Sequence, residues 1–242
     1  MDTDTVVSSA TGFVYQRGGK HFLITNWHVV TGTNPETAAV SAIPTAISTM
    51  FRTKGKPGLC VRETLSLYVD TDANNDPLWL EHPVHRKRVD VVALPLAQSL
   101  LDRYDLFPIN ALHFDQTATE VADDAFVIGY PFFETPYLHF PIWKRASIAS
   151  EPTVDVDQLP KLFVDTATRP GMSGSPVIVT RSGIHGIEGG KPTSSTTIGT
   201  IRWFLGVYSG RKGVDELNAQ LGIVWKARII DDLLESEVIG AP

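Results

Sequence analysis

The chain has 242 residues, 43% of them hydrophobic and 20% charged, and 21 Lys+Arg against 27 Asp+Glu give a net charge of −6. That length accommodates one large domain or two small barrels sharing a core, and a composition this close to the globular average excludes a disordered or fibrous protein. The acidic balance has the wrong sign for holding a polyanion, so no nucleic-acid partner is expected.

The start, Met1-Asp2-Thr3-Asp4-Thr5, is acidic and polar, without the basic and apolar regions of a secretory signal. Residues 11–16 and 21–25 are β-rich runs separated by Arg17-Gly18-Gly19-Lys20, a hairpin signal. The second run continues through Asn26-Trp27 and reads as an apolar strand ending in His28. Residues 34–57 read as a long loop. Leu65, Leu67 and Val69 then alternate with Thr64, Ser66 and the amphipathic Tyr68, as a half-buried strand does. Further strand-like runs fall at 89–96, 125–130, 142–150, 162–166, 176–180 and 201–208, with Gly and Pro mostly between them. Residues 182–197, rich in Gly, Ser and Thr, read as a second long loop.

Only two segments look helical. Residues 97–104 form a short candidate; in 226–237 Ile229, Ile230, Leu233 and Leu234 make one apolar stripe after the strand-like 222–225. No internal repeat is visible. The pattern predicts an all-β chain with two sets of strands and a C-terminal α-helix. The longest nearly apolar run, 125–133, is about half a membrane span and is broken by Gly129 and Pro131, so no membrane association is expected. The single Cys60 cannot close an intramolecular disulfide, which suits a reducing compartment, and a cytoplasmic location is expected.

Three short motifs carry chemistry. In Gly171-Met172-Ser173-Gly174-Ser175-Pro176, glycines beside a serine permit a tight backbone path that turns N–H groups towards an oxyanion; the same residues also suit a plain turn between two strands. His28, after Phe22-Leu23-Ile24-Thr25-Asn26-Trp27, stands where a general base gains rigidity from its element, although a lone histidine there also suits a satisfied, partly buried role. Asp90 opens the apolar run Val91-Val92-Ala93-Leu94, where an aspartate can be buried against an imidazole or simply begin a strand.

Taken together, the order His28, Asp90, Ser173 is the chain order of one particular triad arrangement, and that arrangement needs an all-β scaffold. With "LITNWHVV", "DVVALPL" and "RPGMSGSPV" as its histidine, aspartate and serine motifs, the sequence resembles the trypsin-like (chymotrypsin-fold) serine peptidases, in particular bacterial trypsin-like and HtrA-type protease domains without a PDZ domain. The resemblance covers nearly the whole chain. It implies two six-stranded antiparallel β-barrels with a C-terminal α-helix: a first barrel at approximately 8–96, a connection at 97–122, a second barrel at 123–225 and the helix at 226–237. It implies a serine endopeptidase acting on a protein or peptide substrate through an acyl-enzyme. Ser173 would be the nucleophile, His28 its base and Asp90 the orienting acid, with an oxyanion hole from the N–H groups of Gly171 and Ser173. No metal or organic cofactor is implied.

Departures from the pattern carry information too. Met172 stands where digestive trypsins have an aspartate that pairs with a newly cleaved N-terminus, and no activation-site "IVGG"-like start is present, so no digestive-type propeptide removal is expected. The pocket-floor position, six residues before the serine, is Ala167, followed by Thr168; without an acid there, small or apolar side chains before the scissile bond are expected. Val207-Tyr208-Ser209-Gly210 resembles the substrate-pairing edge, with Tyr208 falling where digestive enzymes carry a serine.

Other features read as structural. His82-Pro83-Val84-His85 lacks partners at a recognised metal spacing and reads as a solvated loop. Trp27, Trp143, Trp203 and Trp225 read as barrel core or rim. The alternative to an active enzyme is a protease-fold binding module, or an effector protease held idle until an activating partner protein orders loops at 34–57 or 182–197.

Overall fold

The computed structural model describes residues 5–69, 76–115, 117–131, 140–212 and 220–241. The first four residues of the acidic start and residues 132–133 of the apolar run lie outside them.

The strands of the described chain pair antiparallel throughout, helices are few, and one lies near the C-terminal end, as the residue pattern predicts. The first half supplies β1 (Phe13–Arg17), β2 (Lys20–Thr25), β3 (Ala46–Thr53), β4 (Cys60–Ser66), β5 (Val92–Pro95) and the two-residue β6 (Tyr104–Asp105). These six strands form two three-stranded sheets, ordered β1-β2-β5 and β4-β3-β6. Leu23, Trp27, Val30, Phe51, Leu67, Trp79, Val92, Leu94, Leu100 and Tyr104 pack together in this half. The second half supplies β7 (Asp124–Gly129), β8 (Ile142–Ile148), β9 (Lys161–Asp165), β10 (Pro176–Glu188), β11 (Lys191–Arg211) and β12 (Leu221–Lys226), which close a barrel in the order β10-β11-β12-β9-β8-β7. Its interior holds Val127, Ile148, Leu162, Val164, Met172, Val177, Tyr208 and Val224.

Three sequence expectations are corrected. The strand expected to end in His28 stops at Thr25, and Trp27–Thr31 turns into a short helix, α1. Helical spacing sends Trp27, Val30 and Thr31 inward, and burial of Trp27 and Val30 outweighs the poor helix propensity of two adjacent valines. The loop expected over 34–57 contains β3, whose Ser and Thr disguise the alternation; Phe51 is its buried anchor, stacked on Tyr104 at 5.5 Å. The loop expected over 182–197 is a hairpin arm in which β10 and β11 pair from Arg181↔Ile201 to His185↔Thr197 and, beyond an irregularity at Gly186, again at Ile187↔Pro192 and Glu188↔Lys191. Gly189 and Gly190, at φ 57° and 76°, supply the two left-handed residues that a tight hairpin turn requires. Beyond Ile201, which packs against the barrel core, the arm's described side chains are mostly polar, and Ile184, Ile187 and Ile198 are exposed.

A third cluster lies between the halves, and it is what holds the candidate site together. The helix α2 (Gln98–Arg103) belongs to the first half, whereas α3 (Arg228–Ser236) leaves β12 and packs back across that half. Ile229, Ile230 and Leu233 are fully buried against Phe22, Ile24, Val89, Val91 and Ala93, with Val207 and Trp225 on the other side. Each such aliphatic burial contributes about 1.5–3 kcal/mol. Trp27, Trp203 and Trp225 are buried; Trp143, expected in the core or rim, is half exposed on β8 beside Phe126. Among the described residues no helix is long and apolar enough to cross a membrane.

Candidate active site

Asp90 lies two residues before β5 and is 2% exposed. A carboxylate this buried needs several donors to offset its lost hydration. It has them: the backbone N–H of His28 donates to Oδ1 at 2.9 Å, His28 Nδ1 faces Oδ2 at 2.7 Å, and Ser209 Oγ donates to Oδ2 at 2.5 Å. Asn26 Nδ2 donates to the Asp90 carbonyl at 2.6 Å and pins the backbone. The turn from β2 into α1 is therefore held by a tertiary contact as well as by the burial of Trp27 and Val30, because Asn26 and His28 both wrap the same aspartate.

The Asp90 carboxylate can only accept, so it selects the tautomer with hydrogen on His28 Nδ1 and leaves the Nε2 lone pair unused. Burial pulls the His28 pKa down, but the charge of Asp90 and its hydrogen bond outweigh that and hold it above the ordinary 6.5.

Ser173 comes from the second half, on the turn before β10. Its hydroxyl donates to the Ser209 carbonyl at 3.5 Å, a long and weak bond, and makes none with His28. Ser209 thus touches both residues, through its hydroxyl to Asp90 and its carbonyl to Ser173. A bulge in β11 between Tyr208 and Gly210 takes Ser209 out of the ladder and aims it there. The sequence placed Tyr208 at a serine position of related enzymes; in the structure Tyr208 points into the barrel and Ser209 faces Asp90.

The backbone around Ser173 has a definite hydrogen-bond inventory. Met172 N–H donates to Arg169 at 3.3 Å, Gly174 N–H to Tyr208 at 2.8 Å, and Ser175 N–H to Met172 at 3.1 Å. Within 171–175 the N–H groups left without an acceptor among the described residues are those of Gly171 and Ser173. Pro170 followed by Gly171 at φ 94° is the residue pair of a type II turn, here closed from Arg169 to Met172.

Of the other sequence-named residues, Thr168 is buried and its hydroxyl bonds to that of Tyr208, which is 1% exposed. The Tyr208 ring fills the space above Gly222, where an added Cβ would lie 2.6 Å from Cε2. Ala167 and Thr168 also line a pocket of about 130 Å³ with Pro131, Ile142, Lys144, Arg169 and Met172. Ser209 and Gly210 remain partly exposed on the β11 edge.

Sequence reasoning missed the Ser209–Asp90 bond, Asn26 and Thr11, which bonds to Gly171 and Ser173. No local pattern marks these contacts. Among the described residues no group of three or more His, Cys, Asp and Glu side chains is arranged to hold a metal ion. His82, expected in a solvated loop, is 5% exposed: its Nδ1 accepts the N–H groups of Val84 and His85, and its Nε2 lies 3.6 Å from Asp232.

A family model described as a trypsin-like peptidase domain matches residues 10–187. Among solved structures, the chain is similar to the inactive form of the Rv3671c protease, at 19% identity over 96% of this chain and 84% of that one, with a TM-score of 0.43. The active form of the Rv3671c protease from M. tuberculosis gives 17% identity over 96% of this chain and 75% of that one, with a TM-score of 0.45. No curated protein matches the sequence.

Proposed function

Given that the chain belongs to the trypsin-like peptidase domain family, and so to enzymes acting on protein or peptide substrates, we propose that it is a serine endopeptidase working through His28, Asp90 and Ser173. The observation that carries this reading is the 2.7 Å contact of His28 Nδ1 with a buried Asp90 beside a serine turn holding two uncommitted N–H groups. Ser173 Oγ rotates away from the Ser209 carbonyl, gives its proton to His28 Nε2 and attacks the peptide carbonyl. Negative charge gathers on the carbonyl oxygen and is met by the N–H groups of Gly171 and Ser173, a kind of donor whose removal costs about 2.7–4 kcal/mol in transition-state stabilisation. His28 then protonates the leaving amine, and a water repeats the sequence to hydrolyse the acyl-enzyme. Asp90 keeps the ring in the working tautomer and stabilises it when charged.

The edge at Ser209 and Gly210 pairs with an extended peptide. Tyr208, joined to Thr168 and seated over Gly222, occupies the space between these two residues, which supports a preference for small side chains before the scissile bond. The unpaired Cys60 supports a reducing, cytoplasmic setting.

One observation favours a second reading, in which the enzyme rests idle until substrate or a partner protein engages it: the Ser173 hydroxyl is directed at Ser209 and makes no hydrogen bond to His28. Labelling with a fluorophosphonate, followed by mass spectrometry, tests both. An adduct on Ser173 that fades in His28→Ala and Asp90→Asn variants is expected of the assembled triad. An adduct that forms only when peptide or partner is added selects the second reading, and none under either condition overturns both.

A further inference from the structure

Thr11 lies at the entry to β1, 162 residues before Ser173 and outside every motif. It is 4% exposed, and all its polar groups are engaged. Its backbone N–H donates to the Ser173 carbonyl at 2.7 Å. Its hydroxyl donates to the Gly171 carbonyl at 2.8 Å and accepts the Tyr130 N–H at 3.0 Å. Its carbonyl accepts the Thr25 hydroxyl at 2.9 Å, three residues before His28. One residue thus ties the serine turn to the end of β2, three residues before His28, and to the end of β7.

Those bonds fall on the two carbonyls that decide the shape of the turn. With the carbonyls of Gly171 and Ser173 held by Thr11, and the N–H groups of Met172, Gly174 and Ser175 bonded elsewhere, the N–H groups of this turn left without an acceptor among the described residues are those of Gly171 and Ser173. Glycine accepts either sign of φ, so nothing intrinsic to Gly171 keeps its peptide facing one way. Met172 offers no polar tether, being apolar and packed in the barrel interior. The approach to Thr11 is close: a Cβ on Gly174, at φ 82°, would lie 2.0 Å from the Thr11 carbonyl oxygen, and one on Gly129 would lie 2.6 Å from its hydroxyl.

We propose that Thr11 is a positioning residue that locks the Gly171–Ser175 turn in its oxyanion-binding shape by holding the carbonyls of Gly171 and Ser173. The inference rests on the reading of Ser173 as nucleophile, so its test includes an arm that needs no catalysis. Thr11→Val keeps the shape and the backbone bonds but removes the hydroxyl; Thr11→Ser keeps the hydroxyl. Amide hydrogen exchange at Met172, Gly174 and Ser175 is measured in the full chain beside kcat, KM and Tm. In Thr11→Val, exchange at these amides is expected to rise at least tenfold. kcat on a short peptide ester is expected to fall by about ten- to a hundredfold with KM held within about twofold. Thr11→Ser is expected to restore both to within about threefold of wild type. Unchanged exchange in Thr11→Val, equal losses in both variants, or a lower Tm with unchanged kcat each overturn the proposal. If the wild type proves inactive, exchange that rises in Thr11→Val and not in Thr11→Ser still supports the lock while the endopeptidase reading falls. Should Thr11→Val fail to fold, Thr11→Cys, whose thiol is a weaker donor, is measured with the same expectation at smaller size.

Discussion

Ser209 Oγ donates to Asp90 Oδ2 at 2.5 Å, and that same oxygen faces His28 Nδ1 at 2.7 Å. The aspartate is therefore held from both halves of the protein, by α1 on one side and the bulge of β11 on the other. The two donors compete for the charge on one oxygen. Removing the serine hydroxyl leaves more negative charge facing the imidazole and raises the proton affinity of His28; replacing the carboxylate removes the charge and lowers it. The acid limb of kcat/KM, which reports the free-enzyme base, is expected to move to higher pH in Ser209→Ala and to lower pH in Asp90→Asn. Rate losses of about tenfold or less for the first and about 10⁴-fold for the second should accompany the shifts. Limbs that do not move, or move together, would refute this assignment of the base.

His28 and His82 are expected to push stability in opposite directions on acidification. The His28 pKa is raised above 6.5 in the folded protein, so its pairing with Asp90 stabilises fully below 6.5 and is lost as pH climbs through the raised value. The His82 pKa is lowered, by burial and by His85, with Asp232 opposing; its contribution is present above 6.5 and lost as pH falls through the lowered value. Tm is compared at about pH 7.5 and 5.5, on either side of the ordinary histidine pKa. His82→Asn should lose less Tm than wild type over that interval, and His28→Asn should lose more. The opposite ordering would show that other groups govern the acid limb.

Residues whose chemistry and context lie close together in the chain were legible. Val91-Val92-Ala93-Leu94 names a buried strand, Ile229, Ile230, Leu233 and Leu234 name a helix face, and His28 and Asp90, named from separate motifs, lie in hydrogen-bond contact. What was hidden depends on tertiary partners. The α1 turn reads as strand because its valines favour strands, and it becomes helical through the core behind Trp27 and Val30 and the bonds to Asp90. The arm of β10 and β11 reads as loop because exposure removes the apolar alternation by which strands are recognised. Ser209 and Tyr208 exchange places because a bulge slips the register by one residue, which no pattern of residue types announces.

Tyr208 is expected to set the size limit of the substrate pocket. Its ring is fully buried over Gly222 and its hydroxyl bonds to Thr168, so shortening it opens space between Thr168 and Gly222. The wild type should favour Ala over Leu before the scissile bond by about tenfold or more, and Tyr208→Val should shift that ratio towards Leu by about ten- to a hundredfold, the 1–3 kcal/mol available to such a pocket. Stability should fall by about 3–5 kcal/mol because the ring also fills the barrel interior. Comparing kcat/KM on matched Ala and Leu peptides decides it; a ratio that ignores the substitution would put the specificity pocket elsewhere.

The hairpin arm is expected to be dispensable for folding. None of its described side chains from 181 to 202 is buried, and Ile184 and Ile198, directly paired across the strands, are 56% and 83% exposed. The barrel closes at Trp203, where burial resumes. Gly183 and Gly199 are themselves paired, so replacing 184–198 by Asn-Gly rejoins the strands through a two-residue turn without changing the register below it. Surface removal of this kind costs little, because no apolar area is lost from a core. The shortened protein should keep its Tm within about 4 °C and its kcat/KM on short peptides within about twofold. It should also be more soluble, having lost a flat, exposed pair of isoleucines on a two-stranded edge. A collapse of Tm would mean that the arm packs against the barrel in solution, and retained Tm with lost activity would assign it a direct part in catalysis.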